Sequence, residues 1–267
     1  PHPYRWLATI SSQRGTISAA PDFAYSLAAA RISEAEKATL DLSSWSTAVN
    51  GAEPPRADTI RRFSRAFAPC GFRPEAMMPS YGLAEATLQV SGRPRSTPPL
   101  TLSVDAQALR GGRLVPAADG QILLSSGQPH EGLEVGVLSE KGTLCGPGEI
   151  GEIVLQGPSV SPGYHGRPPR GGEPLRTGDL GALWEGELYV TGRIKDLIIL
   201  GGANHHPHDL EWTLEGCHPK VRPGRIAAFA LQQAGRDEEG VGVLVEVDEA
   251  DPAIVSAVRE RLADRQG

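Results

Sequence analysis

Glycine-bounded hairpin patterns in residues 176–211 constrain the fold more than any other part of the sequence. This segment opens with Thr177-Gly178-Asp179 and then has two short apolar runs divided by Glu185-Gly186-Glu187. Short apolar runs separated by glycine turns are typical of β-hairpins. We therefore predict a tight turn at residues 177–179, followed by two strands that hold Asp179 and Arg193 at the ends of neighbouring strands.

The pairing of Asp179 with Arg193 suits a ribose. A carboxylate can accept hydrogen bonds from two vicinal hydroxyls, and a guanidinium holds a hydroxyl or a phosphate with a fixed fork of donors. For either short motif taken alone, we favour the simpler explanation of two hairpins whose turns happen to be charged.

Composition limits the class of protein. A chain of 267 residues allows one large or two ordinary domains. With a net charge of -6 it has no basic character that would favour nucleic acid, so we expect small molecules or other proteins as partners. Cys70, Cys145 and Cys217 form no CxxC pair, which argues against a disulfide framework or a zinc site and favours the cytoplasm. No apolar run approaches the roughly 20 residues of a transmembrane helix.

A second informative segment is Tyr81-Gly82-Leu83-Ala84-Glu85. An aromatic ring on a glycine-containing turn can stack on adenine, and a carboxylate three residues after that glycine can reach a magnesium ion that bridges nucleotide phosphates. The alternative is a helix N-terminus with Tyr81 packed in the core and Glu85 outside.

Several motifs together resemble one enzyme family. TGDLG, GELYVTGRIKDLII and NHHPHDLE, which follow one another from residue 177 to residue 211, and YGLAEATL at residues 81–88 are similar to those of the adenylate-forming superfamily, and most of all to the fatty acyl-AMP ligases. The resemblance implies an ATP-dependent and magnesium-dependent enzyme that forms an acyl-AMP from a fatty acid. The implied acceptor of the acyl group is an acyl carrier protein or a polyketide synthase.

The resemblance also implies roles for individual residues. Glu85 and Arg193 are expected to be catalytic, with Glu85 holding Mg²⁺, and Asp196 is the expected hinge of a small C-terminal domain. Asp22 and Phe23 match a segment beside the acyl pocket. The residues implied in binding ATP or AMP are Asn50, Gly51, Ala52, Glu53, Tyr81, Gly82, Leu83, Ala84, Asp179 and Arg193.

The implied fold is α/β, a partial adenylate-forming fold with an α/β sheet layer, a small β-barrel subdomain and a small α+β C-terminal domain. We expect residues 1–124 to form part of the large domain, residues 125–195 its β-rich subdomain and residues 196–267 the small domain. Residues 90–123 resemble an insertion that in the acyl-AMP ligases restricts the closing domain and disfavours transfer to coenzyme A. Taken alone, this proline-rich stretch is typical of a surface excursion with one short strand and one short helix.

Periodicity predicts the remaining elements. We expect helices at about 21–38, 56–67, 209–216 and 251–264, strands at 40–49, 197–200, 226–231 and 241–247, and a turn at 201–202. Glu149 and Glu152 are expected to be exposed on a strand, and Val255, Val258 and Leu262 to form the apolar stripe of the last helix. His205, His206, His208 and His218 have no cysteine or carboxylate at ligand spacing, so we favour solvated or hydrogen-bonded histidines over a metal site.

Two parts of the family's machinery are missing from the sequence. A Ser/Thr/Gly-rich phosphate loop with a lysine should precede Trp6, and a lysine in a Gly-Lys turn should follow Gly267. We therefore expect this chain to be the C-terminal portion of such an enzyme and to be inactive by itself. The alternatives are an acyl- or aryl-CoA ligase that uses free coenzyme A, and a non-catalytic fragment or relic that binds the adenylate.

Overall fold

The computed structural model describes residues 2–94, 97–200, 203–232 and 239–266. Contacts between residues divide the chain into two compact units. The first unit contains Pro1–Leu109 and Arg113–Thr191, and the second contains Arg110–Gly112 and Gly192–Gly267. Both units contain helices and strands, which confirms the predicted α/β class. The turn predicted at 201–202 lies outside the described residues.

The first unit begins with a parallel three-stranded sheet in the order β1-β2-β3. Its strands are β1 (Ile17–Ala20), β2 (Thr47–Asn50) and β3 (Met77–Pro79). Only the last part of the strand predicted at 40–49 is therefore extended. Against this sheet lies a core of aromatic rings in which Trp45 contacts Tyr25, Phe63 and Phe72.

Helices α1 (Tyr4–Ser12), α2 (Asp22–Arg31), α3 (Glu34–Lys37) and α4 (Ala57–Phe67) complete this part of the unit. The single helix predicted at 21–38 is wrong, because Ser33 ends one helix and starts another. Its side chain accepts a hydrogen bond from the Glu36 backbone while the Glu36 side chain accepts one from the Ser33 backbone, and such a capping box favours a new N-terminus. The helix predicted at 56–67 is confirmed, with Ile60, Phe63 and Phe67 buried.

The stretch at 90–123 has the strand and helix that the sequence predicted, β6 (Thr101–Val104) and α5 (Ala106–Arg110), and adds β7 (Gln121–Leu124) paired antiparallel with β6. It is not a plain surface excursion. Val104, Leu109 and Leu114 are buried together with Ala182 and Tyr189 of the neighbouring sheet. Apolar burial therefore fixes this segment to the rest of the first unit.

A small antiparallel sheet in the order β4-β5-β8 follows the parallel sheet. Its strands are β4 (Tyr81–Leu83), β5 (Leu88–Gly92) and β8 (Gln128–Pro129).

The β-rich region is an open sheet in the order β12-β11-β10-β9 in place of the predicted small barrel. Its strands are β9 (Glu134–Leu138), β10 (Gly151–Gln156), β11 (Leu175–Trp184) and β12 (Glu187–Arg193). Four strands are too few to close on themselves, because even the small barrels need more strands to enclose packed side chains. The predicted hairpin turn at residues 185 and 186 is confirmed, with Glu185 and Gly186 both at positive φ as a two-residue hairpin turn requires.

The second unit pairs β13 (Ile198–Leu200) with β14 (Ala203–His205) and β15 (Val221–Gln232) with β16 (Glu239–Val247), and adds α6 (Pro207–Leu214) and α7 (Pro252–Gln266). Its core contains Ile198, Leu210 and Ala228, with Leu200, Val241 and Leu262 packed against them. The predicted stripe on the last helix is wrong in part, because Val255 is 54% exposed and Ile254 is buried in its place.

Among the described helices, none combines the length and the apolar character that crossing a bilayer requires.

Candidate functional site

The candidate site lies in the first unit, where the three parallel strands end at one edge of their sheet. Ala20 pairs with Asn50, and Asn50 pairs with Pro79, so the residues that follow each strand emerge side by side. The Ser80 backbone amide donates to the Asn50 carbonyl at 2.9 Å, which joins two of these strand ends. Ligands of open α/β sheets bind at the carboxyl ends of the strands.

Asn50 and the three residues after it form a tight connection at this edge. The Asn50 side chain is fully buried, and its Nδ2 donates to Asp22 Oδ1 at 2.8 Å. Within the described part of the chain, its Oδ1 is buried without a hydrogen-bond partner. A Cβ on Gly51 would lie 3.1 Å from the Ser80 carbonyl oxygen, and Ala52 has a φ of 72°. The segment thus brings its backbone close to the end of β3, and its role in binding ATP or AMP stays a prediction.

Asp22 and Phe23, which the sequence assigned to an acyl pocket, start helix α2 at the same edge. Asp22 is only 5% exposed, and besides Asn50 it accepts a hydrogen bond from the Arg56 backbone amide at 3.1 Å. Burial raises the pKa of the Asp22 carboxyl. The Phe23 ring is 61% exposed, while its backbone amide donates to Glu53 Oε1 at 2.6 Å. Asp22 therefore positions the Asn50 amide, and the acyl-pocket role of this pair stays a prediction.

Glu53 is fixed by the same contact. Burial raises the pKa of its carboxyl, and the hydrogen bond from the Phe23 amide opposes that change. The carboxylate thus ties the Asn50 loop to the first turn of α2, which is an ordering role within the site.

Tyr81, Gly82 and Leu83 form strand β4 and not the helix N-terminus that the sequence left open. A Cβ on Gly82 would lie 1.7 Å from the Leu88 carbonyl oxygen, so only glycine fits beside strand β5 here. The half-buried Tyr81 packs against the apolar core that contains Val90 and Leu188. Its phenol donates to Asp179 Oδ2 at 2.6 Å, and this bond joins two motifs that lie 98 residues apart in the sequence.

Asp179 lies in a β-bulge, which sets the position of its side chain. The tight turn predicted at 177–179 is therefore wrong. Thr177, Gly178 and Asp179 lie inside strand β11, where all three face the single residue Ile153 of β10. Gly178 has a φ of 74°, which favours glycine. Bulges break the alternation of a strand and redirect a side chain, and they are common beside active sites.

Glu152, which the sequence predicted to be exposed, is buried and holds this bulge in place. It is 7% exposed, and its Oε1 accepts from the Gly178 backbone amide at 3.1 Å. Its Oε2 accepts from Arg176 Nε at 2.7 Å. Sequence reasoning missed this function, although a glutamate in an apolar strand opposite a Gly-Asp pair is a signal that could have found it.

Glu85 lies just after strand β4, on a single turn of 3-10 helix at Ala84–Ala86. Ala84 is exposed and Glu85 is half-buried. Glu85 Oε1 accepts a hydrogen bond from the Tyr164 phenol at 2.6 Å, a contact that no sequence pattern indicated. Mg²⁺ binds through one or two carboxylates together with phosphates and water. Among the described residues, no group of three or more His, Cys, Asp or Glu could hold a metal ion by itself. The role predicted for Glu85 in holding Mg²⁺ stays a prediction.

Arg193 and Asp196 belong to the second unit, which begins at Gly192 in this part of the chain. Arg193 is the exposed last residue of β12, and Asp196 ends the 3-10 helix Ile194–Asp196. The first unit therefore brings Tyr81 together with Asp179, and Asn50 together with Asp22. The roles predicted for Arg193 and for Asp196 stay predictions.

The second unit also contains a stacked pair of histidines. His206 is 7% exposed and stacks on His208 with ring centroids 5.5 Å apart, while His208 lies 4.7 Å from the Trp212 ring. Burial lowers the pKa of each histidine to about 4, and for His206 the neighbouring His208 adds to that effect. A Cβ on Gly192 would lie 2.3 Å from His206 Nδ1, so the imidazole packs directly on the β12 backbone.

Comparison with known proteins finds that AMP-binding enzymes and fatty-acid ligases are similar to this chain. Residues 1–165 match the family of AMP-binding enzymes. The medium-chain-fatty-acid–acyl-carrier-protein ligase JamA of Moorena producens is 41% identical over 98% of this chain and 48% of the relative. The long-chain-fatty-acid–AMP ligase FadD32 of Mycolicibacterium smegmatis is 38% identical over 86% of this chain and 42% of its own length.

Solved structures of fatty acyl-adenylate ligases are also similar to this chain. One from a study of fatty acyl-adenylate ligases of E. coli and L. pneumophila superposes with a TM-score of 0.87 at 34% identity, over 98% of this chain and 48% of that one. The L. pneumophila fatty acyl-adenylate ligase in complex with acyl adenylate and pyrophosphate superposes with a TM-score of 0.71 at 40% identity, over 97% of this chain and 48% of that one. The chain thus spans about half the length of these proteins. The extent of the family match, together with the motifs gathered at the sheet edge, establishes that the chain belongs to the AMP-binding enzyme family.

Proposed function

We propose that this chain takes part in fatty acid adenylation, in which a fatty acid and ATP give acyl-AMP and pyrophosphate and the acyl group then passes to an acyl carrier protein or a polyketide synthase. The observation that carries the proposal is the hydrogen bond between the Tyr81 phenol and the Asp179 carboxylate. It joins the two motifs that the resemblance assigns to one nucleotide, beside the carboxyl ends of the parallel strands.

Each residue then has a defined task in the reaction. Asp179 accepts hydrogen bonds from the ribose hydroxyls, Tyr81 stacks on the base, and Arg193 neutralises charge on the ribose-phosphate side. Glu85 holds Mg²⁺, which when bound neutralises charge on the phosphates. The fatty acid carboxylate attacks the α-phosphorus in line, the carboxyl oxygen–phosphorus bond forms, and the bond to the pyrophosphate leaving group breaks.

The domain division and the hinge form part of the proposal. Residues 1–124 and 125–195 belong to the large domain and residues 196–267 to the small one, with Asp196 as the hinge. An exposed position at the end of a short 3-10 helix supports that role, because hinges are a few residues at the ends of elements. A cytoplasmic location is supported by Cys70, Cys145 and Cys217, all of which are free thiols.

Transfer to coenzyme A is the second candidate. A putative fatty-acid–CoA ligase of Mycobacterium leprae, fadD21, is 37% identical over 86% of this chain, so likeness alone does not choose the acceptor. The segment at 90–123 favours a carrier protein, because it resembles the insertion of the acyl-AMP ligases and is anchored by the buried Val104, Leu109 and Leu114.

The test is to incubate ATP, Mg²⁺ and a fatty acid with the chain, and with any longer natural protein that contains it, and to look for acyl-AMP by mass spectrometry. We expect acyl-AMP only where the phosphate loop and the terminal lysine are present. Such lysine groups stabilise charge that develops in the transition state, and losing one slows a reaction by orders of magnitude. Holo acyl carrier protein or coenzyme A is then added, and we expect the acyl thioester on the carrier protein alone.

A longer protein that contains both motifs and makes no acyl-AMP with any fatty acid would refute the proposal. Equal thioester formation with coenzyme A would instead establish the second candidate. Acyl-AMP formed by the 267-residue chain alone would contradict only the expectation that the chain by itself is inactive.

A further inference from the structure

The loop from Gly157 to Arg170 is bonded to the turn that carries Glu85. The Ser161 backbone amide donates to the Glu85 carbonyl at 2.7 Å. The Thr87 hydroxyl donates to the Ser159 carbonyl at 2.7 Å, and the Tyr164 phenol donates to Glu85 Oε1 at 2.6 Å. The loop therefore holds both the backbone and the carboxylate of Glu85.

The turn needs such support because its backbone is strained. Thr87 has a φ of 57° and Leu88 a φ of 84°, which is unusual for two consecutive residues with side chains. Conformations of this kind persist only where the surroundings over-determine them, and they are frequent at functional sites. Thr87, the first of these two strained residues, donates the hydrogen bond to Ser159.

The position of Tyr164 argues against a packing role for its side chain. The residue is 63% exposed, so burial of its side chain contributes little to holding the side chain in position. The Arg167 guanidinium carbon lies 5.9 Å from the centroid of its ring, within the range of a cation–π contact. A phenol that donates to a carboxylate forms a strong, charge-assisted hydrogen bond. The side chain is thus ordered mainly by polar contacts, and the one made by its hydroxyl is with Glu85.

We propose that Tyr164 is a positioning residue for the metal: its phenol fixes the orientation of the Glu85 carboxylate and so strengthens the binding of a divalent cation together with ATP. This inference rests on the proposed function, in which Glu85 holds Mg²⁺. Groups that hydrogen-bond a metal-binding carboxylate commonly change metal affinity by about 10–100-fold, although they do not contact the metal.

The test compares the whole chain with its Tyr164→Phe variant, which removes only the hydroxyl. Mn²⁺ replaces Mg²⁺ as a paramagnetic probe, α,β-methylene-ATP replaces ATP, and the loss of the free Mn²⁺ signal in electron paramagnetic resonance measures binding. We expect Tyr164→Phe to weaken Mn²⁺ binding about tenfold. Binding of the nucleotide analogue in the absence of metal should stay the same, as should the melting temperature.

Tyr4→Phe is the matched control, because it also loses one phenolic hydrogen bond in the first unit, to the Thr39 hydroxyl at 2.9 Å. It should bind Mn²⁺ as the wild-type chain does. Equal Mn²⁺ affinity in Tyr164→Phe and the wild type would overturn the inference, and so would an equal loss in Tyr4→Phe.

Glu85→Gln separates this inference from the proposed function. If Glu85→Gln abolishes Mn²⁺ binding and Tyr164→Phe has no effect, only the positioning role fails. If the wild-type chain adds nothing to the affinity of the nucleotide for Mn²⁺, or Glu85→Gln binds normally, the proposed metal site fails and the inference fails with it.

Discussion

The position of the Asp179 carboxylate depends on three neighbouring residues. Gly178 supplies the positive φ of the bulge, and Glu152 accepts a hydrogen bond from the Gly178 amide. Gly82 then allows β5 to come close enough that any Cβ would collide with the Leu88 carbonyl oxygen. Tyr81, next to that glycine, reaches Asp179 from the other motif. Backbone geometry thus brings two distant sequence motifs together.

At the residue scale, the stacked pair His206 and His208 predicts a pH dependence of stability. Each pKa is lowered to about 4, so each folded imidazole stays neutral at pH values where the unfolded chain takes up a proton. The stabilisation is complete above the ordinary pKa of about 6.5 and is lost as the pH falls from there towards 4. The loss is at most about 1.4 kcal/mol per pH unit for each histidine.

Thermal unfolding of the second unit, followed by circular dichroism between pH 7 and pH 4, tests this. The double variant His206→Asn/His208→Asn should show a flatter decline of melting temperature than the wild type. His165→Asn, which changes an exposed loop histidine, should leave the decline of melting temperature with pH unchanged. A double variant whose decline matches that of the wild type would contradict the assignment.

At the element scale, the segment at 90–123 contributes Val104, Leu109 and Leu114 to the core of the first unit. Strand β6, helix α5 and strand β7 place Val104, Leu109 and Leu114 against Ala182 and Tyr189 of the four-stranded sheet. An anchored segment of this kind can hold a fixed position during catalysis, whereas a loose excursion cannot. Its packing therefore matters for the choice of acceptor that we propose.

Leu109→Ala tests this packing. Leu109 is 6% exposed, and truncating a buried leucine costs about 2–5 kcal/mol in the free energy of unfolding. Leu144→Ala is the matched control, because Leu144 is 75% exposed and should change stability by less than about 0.5 kcal/mol. Urea unfolding followed by circular dichroism gives both values, and equal effects of the two changes would show that the segment is not packed.

Elements with strong local signals could be predicted from the sequence, and elements set by long-range contacts could not. The amphipathic helix α4 and the Glu185-Gly186 turn follow from periodicity and from glycine chemistry, and both are present. The break at Ser33 was missed because a capping box interrupts an apolar pattern that otherwise continues. A Thr-Gly-Asp sequence fits a tight turn as well as the bulge at Asp179. Only the pairing of β10 with β11 decides between the two.

At the scale of the whole molecule, we propose one nucleotide site at a sheet edge of the first unit. Asn50 and its loop, Tyr81 and Asp179 meet there, and Glu85 follows Tyr81 by four residues. The resemblance correctly indicated the family, while sequence reasoning missed Glu152 and Tyr164, because neither belongs to a binding motif. Their roles depend on partners 26 and 79 residues away in the chain, which no local pattern reveals.

The most direct test of the central claim is isothermal titration calorimetry of the chain with a non-hydrolysable acyl-AMP mimic, an acylsulfamoyl adenosine. We predict saturable binding by the wild type and at least tenfold weaker binding by Asp179→Ala, since a hydrogen bond to a charged group contributes about 1.5–3 kcal/mol. Glu134→Ala, at an exposed position of strand β9 in the same sheet, should bind as the wild type does. Absence of binding by the wild type, or undiminished binding by Asp179→Ala, would contradict the account.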